Sequence, residues 1–211
     1  WGNEESCDAT PRSSDGQLLF LMEMVNKMKS PEHNGIGGRI ASVHNGSSLF
    51  TGDAGGGESN IRRYIIENDL LNAIVQLPNN LFYNTGITTY IWLLSNNKPQ
   101  QRKGKVQLID ASLMFRKLRK NLGNKNCEFA PEHITEIMQT YLAGQDVERQ
   151  LDAKNDPIGI ASKVFDNQDF GYYKVSIERP DRRSAQFSAE RLQGLRFDKS
   201  LSEPMEYMYS T

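Results

Sequence analysis

Two glycine-rich segments are the first places in this sequence where chemistry could occur. Residues 52–57 (Gly-Asp-Ala-Gly-Gly-Gly) lead into a predicted helix, and backbone amides at a helix start can bind phosphate. No Gly-Lys-Ser/Thr follows, which excludes a P-loop. Residues 35–38 (Gly-Ile-Gly-Gly) precede a predicted strand, whereas a dinucleotide-binding loop follows one. The first segment therefore favours a flexible connector and the second a plain turn, so a nucleotide-binding enzyme is the weakest functional hypothesis.

A histidine and two aromatic residues are the next candidates. His44 ends a predicted strand, and strand ends face the ligand crevice in open α/β sheets. No nucleophile motif accompanies it, which favours an ordinary, partly buried polar residue. Tyr90 and Trp92 lie in an apolar, β-branched run. Stacking on nucleic-acid bases is one interpretation of these aromatics, and core packing is the more common one.

The densest group of cations falls between residues 114 and 125. Its members are Arg116, Lys117, Arg119, Lys120 and Lys125. Contact with nucleic-acid phosphates is one interpretation, and the solvated face of a helix is the other. The sequence leaves these two evenly balanced.

The elements that would position these residues form the later part of an α/β sheet. Hydrophobic periodicity predicts helices over 17–29, 58–68 and 130–142, and strands over 39–44, 73–77, 87–94 and 105–109. The last two strands are joined without a helix, which predicts antiparallel neighbours or an arrangement close to that. Beyond them we expect a polar linker near 143–157 and a hairpin over 162–178 that turns at Gly171. The chain would then divide into residues 1–110 and an α+β extension, 111–211.

Composition restricts the function only loosely. The 211 residues carry a net charge of −1, so binding to DNA would need a local basic patch. The two cysteines and three histidines lack metal-site spacing, and free thiols fit a cytoplasmic protein. We find no targeting signal and no apolar run of membrane-spanning length. The polar opening, which begins with Trp1, predicts a fragment.

An ordered set of sequence blocks carries a family resemblance over about residues 11–180. The blocks are Ser-Asp-Gly-Gln-Leu-Leu-Phe-Leu (14–21), Gly-Arg-Ile-Ala-Ser-Val-His-Asn-Gly-Ser-Ser-Leu-Phe (38–50), Gly-Glu-Ser-Asn-Ile-Arg-Arg (57–63), Ala-Ile-Val-Gln-Leu-Pro (73–78), Leu-Phe-Tyr-Asn-Thr-Gly-Ile (81–87), Lys-Gly-Lys-Val-Gln-Leu-Ile-Asp (103–110) and Asp-Phe-Gly-Tyr (169–172). Together they resemble the modification subunits of type I restriction-modification systems.

The resemblance implies the later half of a Rossmann-like, S-adenosylmethionine-dependent methyltransferase sheet that modifies N6 of adenine in double-stranded DNA. Strands 39–44 and 73–77 would be the fifth and sixth of that sheet, with an antiparallel seventh strand, 88–94, inserted between them. A separate specificity subunit and a restriction subunit would be the partners. The family's cofactor loop and Asn-Pro-Pro-Phe/Tyr tetrapeptide lie upstream of these blocks and do not occur in this sequence. We therefore expect no methylation by this chain alone.

Three residues receive roles from the same resemblance. Phe20 matches a helix position that packs against the adenine of the cofactor. Trp92 and Leu93 match the region that helps to hold a flipped target base. Core packing is the alternative for these positions. At the level of the whole chain, the alternative is a truncated, non-catalytic relative that serves as an assembly or DNA-contact module.

Overall fold

The computed structural model describes residues 9–179 and 188–195. The chain divides into two units, Trp1–Lys174 and Val175–Thr211. The helices of the first unit are α1 (Gln17–Asn26), α2 (Pro31–Asn34), α3 (Ser47–Phe50), α4 (Gly57–Glu67) and α5 (Pro131–Ala143). Its strands are β1 (Arg39–Asn45), β2 (Leu71–Gln76), β3 (Thr89–Ser95), β4 (Lys105–Asp110), β5 (Arg116–Leu122), β6 (Lys125–Glu128), β7 (Gln150–Leu151), β8 (Pro157–Ile158) and β9 (Ala161–Asp166). The described part of the second unit contains α6 (Ala189–Leu195).

The main sheet has the strand order β1-β3-β2-β4-β9. β3 is antiparallel to both β1 and β2 and lies between them, while β2 and β4 are parallel. The predicted insertion of an antiparallel strand between the two preceding ones is therefore confirmed. α4 connects β1 to β2 and so crosses over the position that β3 occupies.

One face of the sheet is covered by α1 and α4. Leu18, Leu21 and Met22 recur at spacings of three and four on α1, which places them on one helical face, and all three are buried. They pack with Ile61 and Ile65 of α4 in a single hydrophobic cluster. On the sheet side, the buried members of this cluster are Ile40, Leu71, Trp92, Leu94 and Val106.

The other face is covered by α5 and the β5–β6 hairpin. Ile137 and Tyr141 of α5 pack against a second cluster, whose buried members include Val75, Ile109 and Cys127. Ile91 and Leu93 also contact this cluster, because successive residues of β3 point to opposite faces of the sheet.

Helix α1 is three residues shorter than predicted, and Pro31 begins a separate helix. The predicted helix runs to Lys29, whereas the observed one ends at Asn26. A residue that precedes proline is driven out of the helical region, and Ser30 has φ −63° and ψ 141°. Pro31 instead opens α2, where the Ser30 hydroxyl accepts a hydrogen bond from the Glu32 amide at 3.2 Å.

The arrangement predicted for the last two strands, antiparallel neighbours or close to that, holds only in part. β3 and β4 run in opposite directions, but β2 lies between them, so they are not neighbours. The short connection over 96–104 passes across the end of β2 and does not form a hairpin. β9 then pairs antiparallel with β4, so a strand from the predicted extension belongs to the same sheet as residues 39–110.

Three further expectations for the second half also differ from the structure. The basic segment is a hairpin of β5 and β6, not a helix. The predicted linker near 143–157 contains β7 and is attached to the sheet by the Val147–Ser162 bridge. The hairpin predicted over 162–178 is wrong, because β9 pairs with β4 and the described residues after Phe170 form no strand until the gap at 180.

Candidate nucleic-acid interface

The carboxyl ends of β1, β2 and β4 lie along one edge of the sheet, because these three strands run in the same direction. We call this the carboxyl edge; it is marked by Asn45, Gln76 and Asp110, and β3 begins there at Thr89. The opposite, amino edge holds the first residues of β2 and β4 and the last residue of β3. Open α/β sheets bind ligands outside the carboxyl ends of their strands.

A polar network joins the start of α1 to the end of β1 at the carboxyl edge. The side-chain amide nitrogen of Gln17 lies 2.9 Å from Asp15, 2.8 Å from Asn45 and 2.9 Å from the Ser47 hydroxyl, and its two hydrogens are shared among these three acceptors. Ser47 in turn donates to Asp15. The hydrogen bond from Ser47, followed by that from Gln17, lowers the pKa of Asp15 to about 2. The network fixes the first turn of α1, which carries Phe20, against the edge.

The loop over 77–88 follows β2 at the same edge and exposes apolar side chains. Leu77 and Leu81 are buried and anchor the loop in the second cluster. Phe82, Tyr83 and Ile87 expose 38%, 60% and 54% of their surface. Exposed aromatic rings on a ligand edge are a surface on which flat groups can stack. The structure therefore places the Phe82-Tyr83 pair at the surface rather than in the core.

The β5–β6 hairpin rests on this loop. The Asn124 amide donates to the Tyr83 carbonyl at 3.0 Å, and the Asn126 amide donates to the Asn80 carbonyl at 3.1 Å. The Asn80 side-chain amide returns a hydrogen bond to the Asn124 carbonyl at 2.9 Å. Cys127 of β6 points into the second cluster, and its burial raises the pKa of its thiol. The structure thus brings the predicted basic cluster to the carboxyl edge, a placement that sequence spacing did not indicate.

Trp92 and Leu93 lie in the middle of β3 and not at its end. Trp92 is 1% exposed and belongs to the first core cluster, which agrees with the core-packing interpretation. Leu93 is half-buried and packs on the opposite face. Neither residue presents an open surface to a base at the carboxyl edge. The residues of β3 that reach this edge are Thr89 and Tyr90.

His44 is more deeply buried than its sequence position suggested. Its side chain is 3% exposed, and neither ring nitrogen has a hydrogen-bond partner among the described residues. Its ring lies 5.7 Å from that of Trp92, whose indole nitrogen likewise has no partner there. Burial lowers the pKa of His44, against the opposing effect of the Asp15 charge. The structure therefore favours an ordinary, neutral core residue over a catalytic histidine.

Phe20 lies on α1 with 74% of its surface exposed. Core packing, the alternative interpretation for this position, therefore does not apply. The ring faces away from the cluster that holds Leu18 and Leu21 and leaves a flat apolar surface one turn from the Asp15 network.

The glycine-rich loop before α4 has a packing role that its sequence did not reveal. The chain at Thr10 crosses the first turn of α4, and a methyl group on Gly57 would overlap the Thr10 carbonyl. The Arg12 amide donates to the Glu58 carboxylate at 3.2 Å and holds this crossing in place. The start of α4 is therefore covered by the protein's own backbone. This arrangement opposes the phosphate-binding interpretation.

A cleft of about 1660 Å³ opens on the α4 side of the sheet. Its lining includes Phe50, Tyr90, Tyr172 and the half-buried Arg62, which donates to the Ser48 carbonyl at 3.2 Å. Of the predicted site residues, Trp92 lines this cleft. Within the described ranges, no group of three or more His, Cys, Asp or Glu side chains could hold a metal ion. The helices of those ranges are all too short or too polar to cross a membrane.

Comparison with known proteins identifies the family. The sequence model of the family described as N-6 DNA Methylase matches residues 3–164. The chain belongs to this family. The type I restriction enzyme MjaVII methylase subunit of Methanocaldococcus jannaschii is 37% identical over 110 residues, which are 52% of this chain and 18% of that protein. The HindI methylase subunit of Haemophilus influenzae is 36% identical over 117 residues, 53% of this chain and 24% of its own length.

Among solved structures, the methyltransferase subunit of a type I restriction-modification system from Streptococcus thermophilus is similar to this N-6 DNA methylase chain. The TM-score is 0.59 at 24% identity, and the match covers 75% of this chain and 28% of that one. This likeness supports the Rossmann-like fold. The match spans about a fifth of the length of the curated relatives, with 18% and 21% of the first two.

Proposed function

We propose that this chain is part of the modification subunit of a type I restriction-modification system, an S-adenosylmethionine-dependent DNA adenine-N6 methyltransferase. The observation that carries the proposal is the antiparallel β3, which lies between β1 and β2 in the order implied by the resemblance. The match of the N-6 DNA methylase family over residues 3–164 supports it.

In this proposal the chain frames the substrate side of the sheet. The N6 amine of adenine is out of reach inside a stacked duplex, so the base must be flipped out. The exposed rings of Phe82 and Tyr83 offer an apolar surface at the carboxyl edge against which an extruded base can stack. Trp92 takes no direct part, since it lies in the core, but its packing supports the strand that delivers Thr89 and Tyr90 to that edge.

The cofactor would contact this chain at one position. S-adenosylmethionine, when bound, supplies the methyl group. Phe20 fits a contact with its adenine, because the ring is exposed while neighbouring Leu18 and Leu21 are buried. The Asp15 network keeps the helix start that carries Phe20 in place. The cofactor loop and the tetrapeptide that would hold the amine do not occur in these 211 residues, so we propose that both come from another part of the protein.

The partners in this proposal are double-stranded DNA, a specificity subunit that reads the target sequence and a restriction subunit, all in the cytoplasm. A net charge of −1 agrees with a subunit that does not read DNA alone. Specificity carried by another chain would leave this one with contacts to the DNA backbone and the extruded base.

Methyl transfer by the full-length protein tests this proposal directly. The complete subunit, purified with its specificity subunit, would be incubated with labelled S-adenosylmethionine and plasmid DNA. We expect N6-methyladenine at a defined site, and no methylation by residues 1–211 alone. Calorimetry with S-adenosylmethionine on both forms separates the alternatives. Absence of cofactor binding and methylation in the complete complex would favour the non-catalytic assembly module, whereas methylation by residues 1–211 alone would contradict the division of the site.

A further inference from the structure

Positive charge is concentrated on one short hairpin of an otherwise acidic chain. Residues 116–128 hold five cations and one acid, whereas the whole chain has a net charge of −1. All four cations of β5 are exposed, and this strand contains no acidic residue. A local field of this kind attracts a polyanion even when the protein as a whole does not.

The five cations have different local partners. Arg116 forms a cross-strand ion pair with Glu128 at 2.9 Å. Lys125 donates to the Leu81 carbonyl at 2.7 Å and lies 5.5 Å from the centre of the Tyr83 ring. These two side chains hold the hairpin together and fasten it to the 77–88 loop.

Among the described residues, the other three cations neither link the two strands of the hairpin nor attach it to the 77–88 loop. Lys117, Arg119 and Lys120 are exposed and form no ion pair or hydrogen bond through their side chains within the described ranges. A strand rises about 3.3 Å per residue, so the three cover about 10 Å. Three exposed cations within this length can each contact a backbone phosphate through a long, flexible side chain.

The attachment of the hairpin gives these charges a defined place. Four hydrogen bonds between residues 79–83 and 124–126, including the one from the Lys125 side chain, join it to the loop that carries Phe82 and Tyr83. Cys127 is 1% exposed and anchors β6 in the second core cluster. A charged hairpin without such support is marginally stable in water, but this one is held at the carboxyl edge.

We propose that the β5–β6 hairpin is a sequence-independent contact for the phosphate backbone of double-stranded DNA, made by Lys117, Arg119 and Lys120. The inference rests on the proposed function, because it assumes that the carboxyl edge faces DNA. It adds that the backbone contact and the exposed aromatic loop form one rigid unit, joined by Lys125 and the Asn80–Asn124 hydrogen bond.

The salt dependence of DNA binding tests the inference in the complete complex with its specificity subunit. We expect the triple variant Lys117→Gln, Arg119→Gln, Lys120→Gln to make the negative slope of log K against log salt shallower by about 2 to 3. Each lost phosphate contact removes about 0.9 from the steepness of that slope. Affinity should fall equally for DNA with and without the target site, so the specificity ratio should not change.

A matched control removes three charges from the opposite edge of the sheet. The control variant carries Lys29→Gln, Lys103→Gln and Lys105→Gln, and all three side chains are exposed. Lys103 and Lys105 lie at the start of β4. Lys29 is held near the end of β3, where its carbonyl accepts a hydrogen bond from the Asn96 side chain. This control should leave the slope within about 0.5 of the wild type. Thermal unfolding of both triple variants would show that each is folded.

The outcomes separate this inference from the proposed function. Methylation by the wild-type complex judges the proposed function alone. An unchanged slope in a folded, methylating hairpin variant would overturn the inference. The same holds if the hairpin variant binds DNA normally but loses the specificity subunit, because the hairpin would then be a protein contact. Equal effects from the control variant would also overturn it, since the charge would then act without regard to position.

Discussion

One buried cation at the amino edge of the sheet contrasts with the exposed cations of β5 at the carboxyl edge. At the amino edge, Lys98 is buried, and its ammonium donates to Asp69 at 2.6 Å and to the Lys105 carbonyl at 2.9 Å. Asn167 and the Gly104 amide complete the shell around Asp69. At the carboxyl edge, the cations of β5 are exposed. A buried, paired cation such as Lys98 stabilises the fold, whereas the exposed cations of β5 remain available to bind an anion.

Breaking the amino edge should have the largest effect on folding. Lys98→Met leaves the Asp69 carboxylate without its cation in a site where burial already opposes the charged form. We expect a loss of about 2 to 3 kcal/mol, less than for a fully buried pair, because Asp69 is 31% exposed and keeps its hydrogen bonds from Gly104 and Asn167. Urea unfolding of residues 1–211 measures this loss, and Lys103→Met at an exposed neighbouring position is the control. Equal stability of both variants would show that the pair does not secure this edge.

The crossing of Thr10 over α4 gives the next largest expected effect. Gly57→Ala places a methyl group against the Thr10 carbonyl, and we expect a loss of about 1 to 3 kcal/mol, as for other overpacked positions. The control is Ser59→Ala in the same helix. A substitution at Gly55 would be a poor control, because Gly55 has φ +81° and a side chain there would add backbone strain of its own. Unchanged stability of Gly57→Ala would show that Thr10 does not pack closely on α4. If that variant also bound phosphate, the nucleotide-binding interpretation of residues 52–57 would be supported.

The buried histidine should make the fold sensitive to mild acid. Burial lowers the pKa of His44 below its ordinary value of 6.5, so protonation favours the unfolded chain and stability falls as the pH drops below 6.5. His44→Leu should remove this loss. The pKa of Asp15 is about 2, so the stability that this carboxylate contributes is lost only as the pH falls below its ordinary pKa of 3.8. Urea unfolding at pH 7.5, 5.5, 4.5 and 3 distinguishes the two windows, because only the last point lies below 3.8. Exposed His33→Gln is the control, and an identical pH profile in His44→Leu would contradict the assignment.

Phe20 should have the smallest effect on stability and a clear effect on binding. Phe20→Ala removes an exposed ring, so the free energy of unfolding should change by less than about 0.5 kcal/mol. Loss of an aromatic contact worth about 1 kcal/mol would weaken S-adenosylmethionine binding by the full-length protein about fivefold. Calorimetry measures this, with Leu19→Ala on the same helix as the control. Unchanged cofactor affinity would remove Phe20 from the site.

The sequence predicted the sheet better than it predicted the site. β1, β2 and β3 are apolar or β-branched runs bounded by turn residues, and their approximate positions followed from that pattern. The place of β3 between β1 and β2 came from the family resemblance, because strand order depends on long-range pairing that local pattern does not encode. The role of Gly57 was missed for the same reason, since Thr10 is distant in sequence.

The basic hairpin shows why the candidate site was harder to predict. Lysine and arginine have good helix propensity, and β5 lacks the alternation of apolar and polar residues that marks a half-buried strand. The local signal for a turn was Gly123-Asn124, where Gly123 has φ +63°. The burial of Trp92 and the unpartnered nitrogens of His44 depend on neighbours contributed by several elements, so composition alone could not reveal them.

The position of β3 also constrains the order in which the chain can assemble. β1 and β2 have no hydrogen bonds to each other, and each pairs with β3, the last of the three to be synthesised. A nascent chain that stops before Thr89 therefore has two apolar strands with open edges and no common partner. Such edges can pair with other chains. Completion of β3 therefore closes the gap between β1 and β2, and β4 and β9 then cover the remaining side of β2.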